Sequence, residues 1–273
     1  MKVALIDNGS LEPAAHDGLR AAAAAIGEAA GARVEAVSWK HSNRIPAGAL
    51  RGGAAWTLAP WIRRQVSAGE REFVFVPFFI SPQGAIGSSL ALDLGRLRDE
   101  TGGFIHSFTD GIAECGALSA IVAGRVREAA AAGGLRRPAV VVVDHGGPAH
   151  ASADLRDSVA SAVRGELGTD IGPLTAASME SPDGPDFEFN RPLLAEALGS
   201  PGFDSGDVVV APLFLLPGRH AGPGGDLEAI AREAQRRSPR LRCHFAGLVG
   251  SHPAAIEALA GALSSAIGAG SRT

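Results

Sequence analysis

Residues 140–144, VVVVD, restate residues 3–7, VALID, and the restatement runs on through the rest of the chain. The helical stretch PAAHDGLRAAAAAIGEAAG (13–31) returns as SADLRDSVASAVRGELG, and ARVEAVSW (32–39) with the residues after it returns as TAASMES. EFVFVPFFI (72–80) returns as DVVVAPLFLLPG, and SSLALDLGRLRDET as DLEAIAREAQRRS. FIHSF (104–108) and GALSAIVAGRVREAAAAG return as LRCHFAGLVG and HPAAIEALAGALSSAIG. Asp7 and Asp144 stand 137 positions apart, and self-similarity at a fixed offset marks a duplicated structural unit. The expected halves are 1–132 and 138–273, joined near AAGGLRRP (131–138). Within each half, short β-rich runs alternate with Ala/Leu/Arg-rich helical stretches, the pattern of a parallel sheet with helices on both faces. One further helix is expected over 52–69, interrupted at Pro60.

At 273 residues, with 46% hydrophobic and 20% charged side chains, the chain suits one large domain or two of about 130 residues. A net charge of −4 provides no basic field, so nucleic acid is not an expected partner. Cys115 and Cys243 form no CxxC pair, which points away from a zinc knuckle or disulfide framework and towards the cytoplasm. The apolar run at the start is too short for a signal-peptide core, and no run reaches the length of a membrane span. Tyrosine is absent, Lys2 and Lys40 are the only lysines, and no GxxxxGK[ST] or GxGxxG occurs. Nucleotide-driven and dinucleotide chemistry are thus disfavoured, and no nucleotide cofactor is expected.

In an open parallel sheet, ligands bind beyond the carboxyl ends of the strands. The duplication allows the loops there to be compared between halves. After the first strand, Asn8 faces His145; at the end of the second, Lys40 faces Glu180; in the loop after the PFF/PLF strand, Ala85 faces His220. The second half alone therefore carries two imidazoles and a carboxylate at the ends of three strands. That donor set suits a borderline divalent ion (Co, Ni, Fe or Zn) with coordination positions left open. Asp144 and Asp226 are candidates to orient the imidazoles.

These features together resemble the CbiX/SirB family of class II tetrapyrrole chelatases. They are a strand ending in HG, a glutamate ending the second strand, a PLFL strand followed by G-x-H and an acidic helix start, and a closing LVGSHP. The resemblance covers the chain as two tandem units and implies two chelatase-like parallel-sheet α/β halves facing across a cleft. It further implies ATP-independent insertion of a divalent metal, cobalt first and iron or nickel next, into a sirohydrochlorin-like tetrapyrrole. His145 and His220 look like the family's paired metal-site histidines, and Glu180 looks like their acidic partner. The run His145-Gly146-Gly147 departs from the family's usual HGS. Sirohydrochlorin is a polycarboxylate, so Arg219, Arg191 and Arg44 are candidates to hold it. Oligomeric state is not legible.

Other residues have plainer readings. His252, before Pro253, marks a helix start; His16, His41, His106, His150 and His244 read as surface or strand residues. Phe187 and Phe189 read as an edge segment packed on the core, with a lid over a flat macrocycle as the rival, and Trp39, Trp56 and Trp61 read as core. The alternative function is a non-catalytic metal or tetrapyrrole carrier of the same fold. Histidine-dependent phosphotransfer is weaker, because no arginine stands at position 144.

Overall fold

The computed structural model describes residues 1–80 and 85–270. Two four-stranded sheets, both wholly parallel, share one topology. The first has the order β2-β1-β3-β4, from β1 (Lys2–Asp7), β2 (Val34–Ser38), β3 (Glu72–Pro77) and β4 (Ile105–Phe108). The second has the order β6-β5-β7-β8, from β5 (Ala139–Asp144), β6 (Leu174–Ser178), β7 (Gly206–Pro212) and β8 (Leu241–Phe245). The helices between them are α1 (Pro13–Ala30), α2 (Leu58–Ser67), α3 (Ala85–Glu100), α4 (Leu118–Gly133), α5 (His150–Leu167), α6 (Leu194–Ala197), α7 (Asp226–Arg237) and α8 (Pro253–Gly270).

Strand β5 shows why its sequence is a nearly unbroken valine run: all six residues are buried, because a central parallel strand has helices on both faces. Fully burying each valine contributes about 1.5–3 kcal/mol of apolar transfer. The same logic holds for β1 and β3, where Ala4, Ile6, Phe73 and Phe75 form one core with Trp61 and Trp39. Helix α1 stops at Gly31, whose left-handed φ of 64° closes the last turn.

The helix expected over 52–69 is shorter than its sequence suggests. Gly52 and Gly53 take φ of 97° and 86°, which only glycine adopts readily, and the helix begins at Leu58. Pro60 therefore lies in the first turn, where its missing N–H breaks no helical hydrogen bond, and nothing is interrupted. The aromatics Phe187 and Phe189 lie in a 3-10 segment, Pro185–Asn190, and not in an edge strand. His16 is a second departure from the surface reading: at 1% exposure it is a core residue of α1.

The compact units are not cut where the sequence repeats. One comprises Met1–Ala117 with the tail from Gly250; the other is Leu118–Val249. Helix α4, which ends the first repeat in sequence, packs with α5, β7 and β8, and Arg125 Nε donates to the Leu248 carbonyl at 3.1 Å. Helix α8, which ends the second repeat, packs on α1. Each unit thus completes its core with the other repeat's last helix. No helix among the described residues is long and apolar enough to cross a membrane.

Candidate metal centre

The strand order places the crevice. From β5 the chain moves outward to β6, then returns to lay β7 on the opposite side of β5, so the loops leaving β5 and β7 diverge and open a gap at their carboxyl ends. His145 follows β5 directly, Glu180 lies just beyond β6, and His220 lies in the loop between β7 and α7.

Backbone pairing continues past the strand ends and sets the first two. Met179 N–H donates to the Asp144 carbonyl at 2.8 Å and Glu180 N–H to the His145 carbonyl at 3.1 Å. The chain then turns at Gly146, with φ of 81°. A Cβ there would sit 1.8 Å from the Glu180 carbonyl oxygen, so no other residue fits this crossing. Glu180 Oε1 lies 3.6 Å from His145 Nε2.

The two imidazoles meet edge to face, their centroids 4.8 Å apart. His145 Nδ1 lies 3.0 Å from the Gly146 carbonyl, an acceptor only, so Nδ1 carries the proton. His220 Nδ1 lies 2.7 Å from Asp226 Oδ2 at the start of α7. In a neutral ring this tautomer leaves the Nε2 lone pair free for a metal. Asp226 thus takes the orienting position beside His220. Asp144 turns away from His145 and accepts from Ser178 Oγ at 2.6 Å. The donors converge without closing: among the described residues, no group of three His, Cys, Asp or Glu side chains is already arranged to hold a metal ion. Half-buried Phe214 lies 6.4 Å from the His145 ring.

Beneath the crevice runs a buried network that the sequence did not announce. Arg156, on α5, is 2% exposed. Its guanidinium donates to Ser178 Oγ, to Asp157 and to the Phe189 carbonyl, and lies 3.7 Å from Asp144. Burial nevertheless pushes the Asp144 carboxyl above its ordinary range, against the opposing pull of Ser178 and Arg156.

The three candidate arginines are placed differently. Arg219 is 79% exposed, with Nε 3.7 Å from Asp226, beside His220. Arg191 is engaged by Glu196 and Glu188. Arg44 is exposed in a 3-10 turn, Ser42–Arg44, after β2 in the first unit.

That unit keeps the crevice's backbone without its donors. Lys40 N–H donates to the Asn8 carbonyl at 3.2 Å, and a Cβ on Gly9 would meet the Lys40 carbonyl at 1.7 Å. Asn8 and Lys40 occupy the backbone stations of His145 and Glu180. Lys40 lies over the Trp39 ring and 3.6 Å from Asp93. Ala85, set against His220 by sequence, opens α3, and its side chain lies outside the described residues.

Residues 139–266 match the CbiX family model. No curated protein sequence matches the chain. Three solved structures share its fold over nearly its whole length. SirB from Bacillus subtilis with Fe3+ is 15% identical, with a TM-score of 0.62 over 99% of this chain and 98% of that one. The sirohydrochlorin chelatase SirB from Bacillus subtilis subspecies spizizenii in complex with cobalt is 16% identical, with a TM-score of 0.63 over 99% and 98%. CbiX, described as the terminal enzyme for biosynthesis of siroheme in denitrifying bacteria, is 16% identical, with a TM-score of 0.63 over 97% and 99%.

Proposed function

We propose that this chain, which carries a CbiX domain over residues 139–266 on the two-sheet fold of the chelatases it resembles, inserts a divalent metal into a sirohydrochlorin-like tetrapyrrole without ATP. One observation carries the reading: two imidazoles, each with Nδ1 engaged by an oxygen acceptor, and a carboxylate converge at the switch-point crevice of the second sheet.

Insertion exchanges one M²⁺ for two pyrrole N–H protons. His145, His220 and Glu180 supply two nitrogen donors and one oxygen donor, which suits Co²⁺, Fe²⁺ or Ni²⁺ and leaves positions for the macrocycle nitrogens to take over. As the metal passes to the macrocycle, the freed Nε2 atoms and the Glu180 carboxylate accept the two protons and pass them to water. Glu180 is 60% exposed and His145 46% exposed, so solvent reaches both. Asp226 holds His220 in the tautomer this requires. Phe214, Leu215 and Leu216, all half-buried along the loop after β7, offer an apolar surface to a flat ring. Arg219, 79% exposed beside His220, is placed to meet a peripheral carboxylate, with Arg191, 46% exposed, as a further contact.

The test is anaerobic absorption spectroscopy of sirohydrochlorin with Co²⁺, Fe²⁺ or Ni²⁺ at substoichiometric protein. Many turnovers per chain are expected, with a loss of about 100-fold or more in His145→Ala. Conversion that stops at one equivalent per chain would make the protein a carrier, and no acceleration with any of the three metals would remove the reading.

A further inference from the structure

A single buried amide ties together the segments that carry two of the candidate donors, His145 and Glu180. Asn190, 1% exposed at the end of the 3-10 segment Pro185–Asn190, accepts from Gly147 N–H through Oδ1 at 3.1 Å and donates from Nδ2 to the Gly147 carbonyl at 3.0 Å. Only one orientation of the amide satisfies both, because the flipped side chain would set NH₂ against N–H. The same Nδ2 lies 3.3 Å from Ser181 Oγ and 3.3 Å from the Phe187 carbonyl. Gly147 is two residues from His145, and Ser181 is next to Glu180. Asn190 therefore holds the His145 loop and the Glu180 loop from the same atom group, just past the last backbone bond between them, from Glu180 N–H to the His145 carbonyl.

The need for such a clamp follows from the glycines. Gly146 and Gly147 give the His145 loop its close crossing over Glu180, and glycine costs the chain more conformational entropy to fix than any other residue. A loop built this way stays in one geometry only if something else immobilises it. The first unit, whose crevice lacks the donors, makes the corresponding connection with a smaller group: Ser42 Oγ accepts Ser10 N–H at 3.1 Å and donates to the Ser10 carbonyl at 3.0 Å. A hydroxyl there grips only the Ser10 peptide and Ser38, whereas the Asn190 amide also reaches the residue beside Glu180.

We infer that Asn190 is a positioning residue for the metal site, fixing the separation of His145 and Glu180 by clamping Gly147 and Ser181. The inference rests on the metal-site reading proposed above. Supporting groups that orient ligands typically contribute 10–100-fold to metal affinity.

The test titrates Co²⁺ alone, followed by its visible absorption, into wild type, His145→Ala, Asn190→Ala and Asn190→Asp, all well below their melting temperatures. Asn190→Ala is expected to bind Co²⁺ about 10-fold more weakly and with an altered spectrum, and insertion should lose kcat more than KM rises. Asn190→Asp keeps the shape and the bond from Gly147 N–H but has no donor while ionised. Its affinity deficit relative to wild type should shrink as pH falls and the carboxyl gains a proton to give to the Gly147 carbonyl, a rescue that a space-filling role does not predict. If Asn190→Ala does not fold, the aspartate series decides alone. Wild-type Co²⁺ affinity and spectrum in a folded Asn190→Ala, or a pH-independent deficit in Asn190→Asp, overturns the inference while leaving the metal site standing. Unchanged Co²⁺ binding in His145→Ala overturns both.

Discussion

At the ends of β1 and β5 the two units pose the same electrostatic problem and solve it differently. Each central strand ends in an aspartate beside a buried serine of the neighbouring strand, Asp7 with Ser38 and Asp144 with Ser178. In the second unit, Arg156 reaches from α5 to bring a guanidinium within 3.7 Å of Asp144. In the first, Leu19 stands at the equivalent helix position, and His16, one turn earlier, touches Ser38 Oγ at 3.4 Å instead. Asp7 Oδ1 and His16 Nε2 are buried with no hydrogen-bond partner, and burial raises Asp7 to about 6 while lowering His16 to about 4. The unit that carries the candidate donors has a cation-anchored floor, and the unit that lacks them has a floor without a buried cation, where burial disfavours charge on both Asp7 and His16. The difference is consistent with a site that must keep its geometry next to one that need only pack.

Removing the cation should have the largest effect. Arg156→Leu, which copies the first unit's Leu19, leaves Asp144 buried without its countercharge and strips Ser178 and the Phe189 carbonyl of a donor. A loss of about 3–5 kcal/mol is expected in urea unfolding. If the variant loses less than about 1 kcal/mol, the two floors are energetically alike and the contrast collapses.

The floor without a buried cation should show itself through pH. An acid whose folded pKa is raised binds more protons folded than unfolded, so Asp7 contributes stability that is present below about pH 4 and lost as pH rises through about 6. A base whose folded pKa is lowered binds fewer protons folded, so His16 contributes stability that grows as pH rises from about 4 to 6.5. The two slopes oppose each other, so together this pair should add little net slope across that window. Asp7→Asn removes one of them: its stability should climb by roughly 2–3 kcal/mol from pH 4 to 6.5, and at pH 7 it should exceed wild type. Asp144→Asn should gain nothing at pH 7, because it takes the countercharge from Arg156. An Asp7→Asn profile parallel to that of wild type between pH 4 and 6.5 would show that Asp7 does not oppose His16.

The crossings offer a sharper cut, since here the units are geometrically alike. Gly9→Ala and Gly146→Ala each force a Cβ to within 2 Å of a carbonyl oxygen at a left-handed φ, and each should cost about 2 kcal/mol or more. Only Gly146→Ala moves the peptide of Glu180, so only it should weaken Co²⁺ binding. Equal loss of Co²⁺ affinity in both variants would mean that the first unit shares in the site.

Sequence revealed the sheets because buried parallel strands leave an unbroken apolar run, as in VVVVD, and it brought His145, Glu180 and His220 to one sheet edge because parallel strands end together. Arg156 escaped notice because an arginine on an amphipathic helix ordinarily faces water, and nothing local distinguishes the one that turns inward. Asn190 left no signal either: its partners, Gly147 and Ser181, are 43 and 9 residues away and meet it only once the loops are folded. The exchange of α4 and α8 was hidden for a different reason. Both are apolar and similar in length, so either would cover either sheet, and the choice is made by tertiary packing that repeat periodicity does not encode. Arg191 illustrates the limit for surface charge, since Glu188 and Glu196, within five residues of it, already engage it.

The smallest effect belongs to a substitution that makes the units more alike. Lys40→Glu places a carboxylate at the backbone station Glu180 occupies, on the same hydrogen-bonded crossing over a glycine. It gives up a half-exposed pair with Asp93 and a cation lying over Trp39, so stability should change by about 1 kcal/mol or less. It should not create a second Co²⁺ site. The neighbour across the crossing is Asn8, whose neutral amide is a poor donor to a borderline ion, and the sequence counterpart of His220 is Ala85, which has no donor atom in its side chain. Calorimetry of Co²⁺ binding should therefore report one site per chain in both wild type and Lys40→Glu. A second equivalent in the variant would show that the first unit lacks only a carboxylate, and that the imidazole pair is not what separates the units.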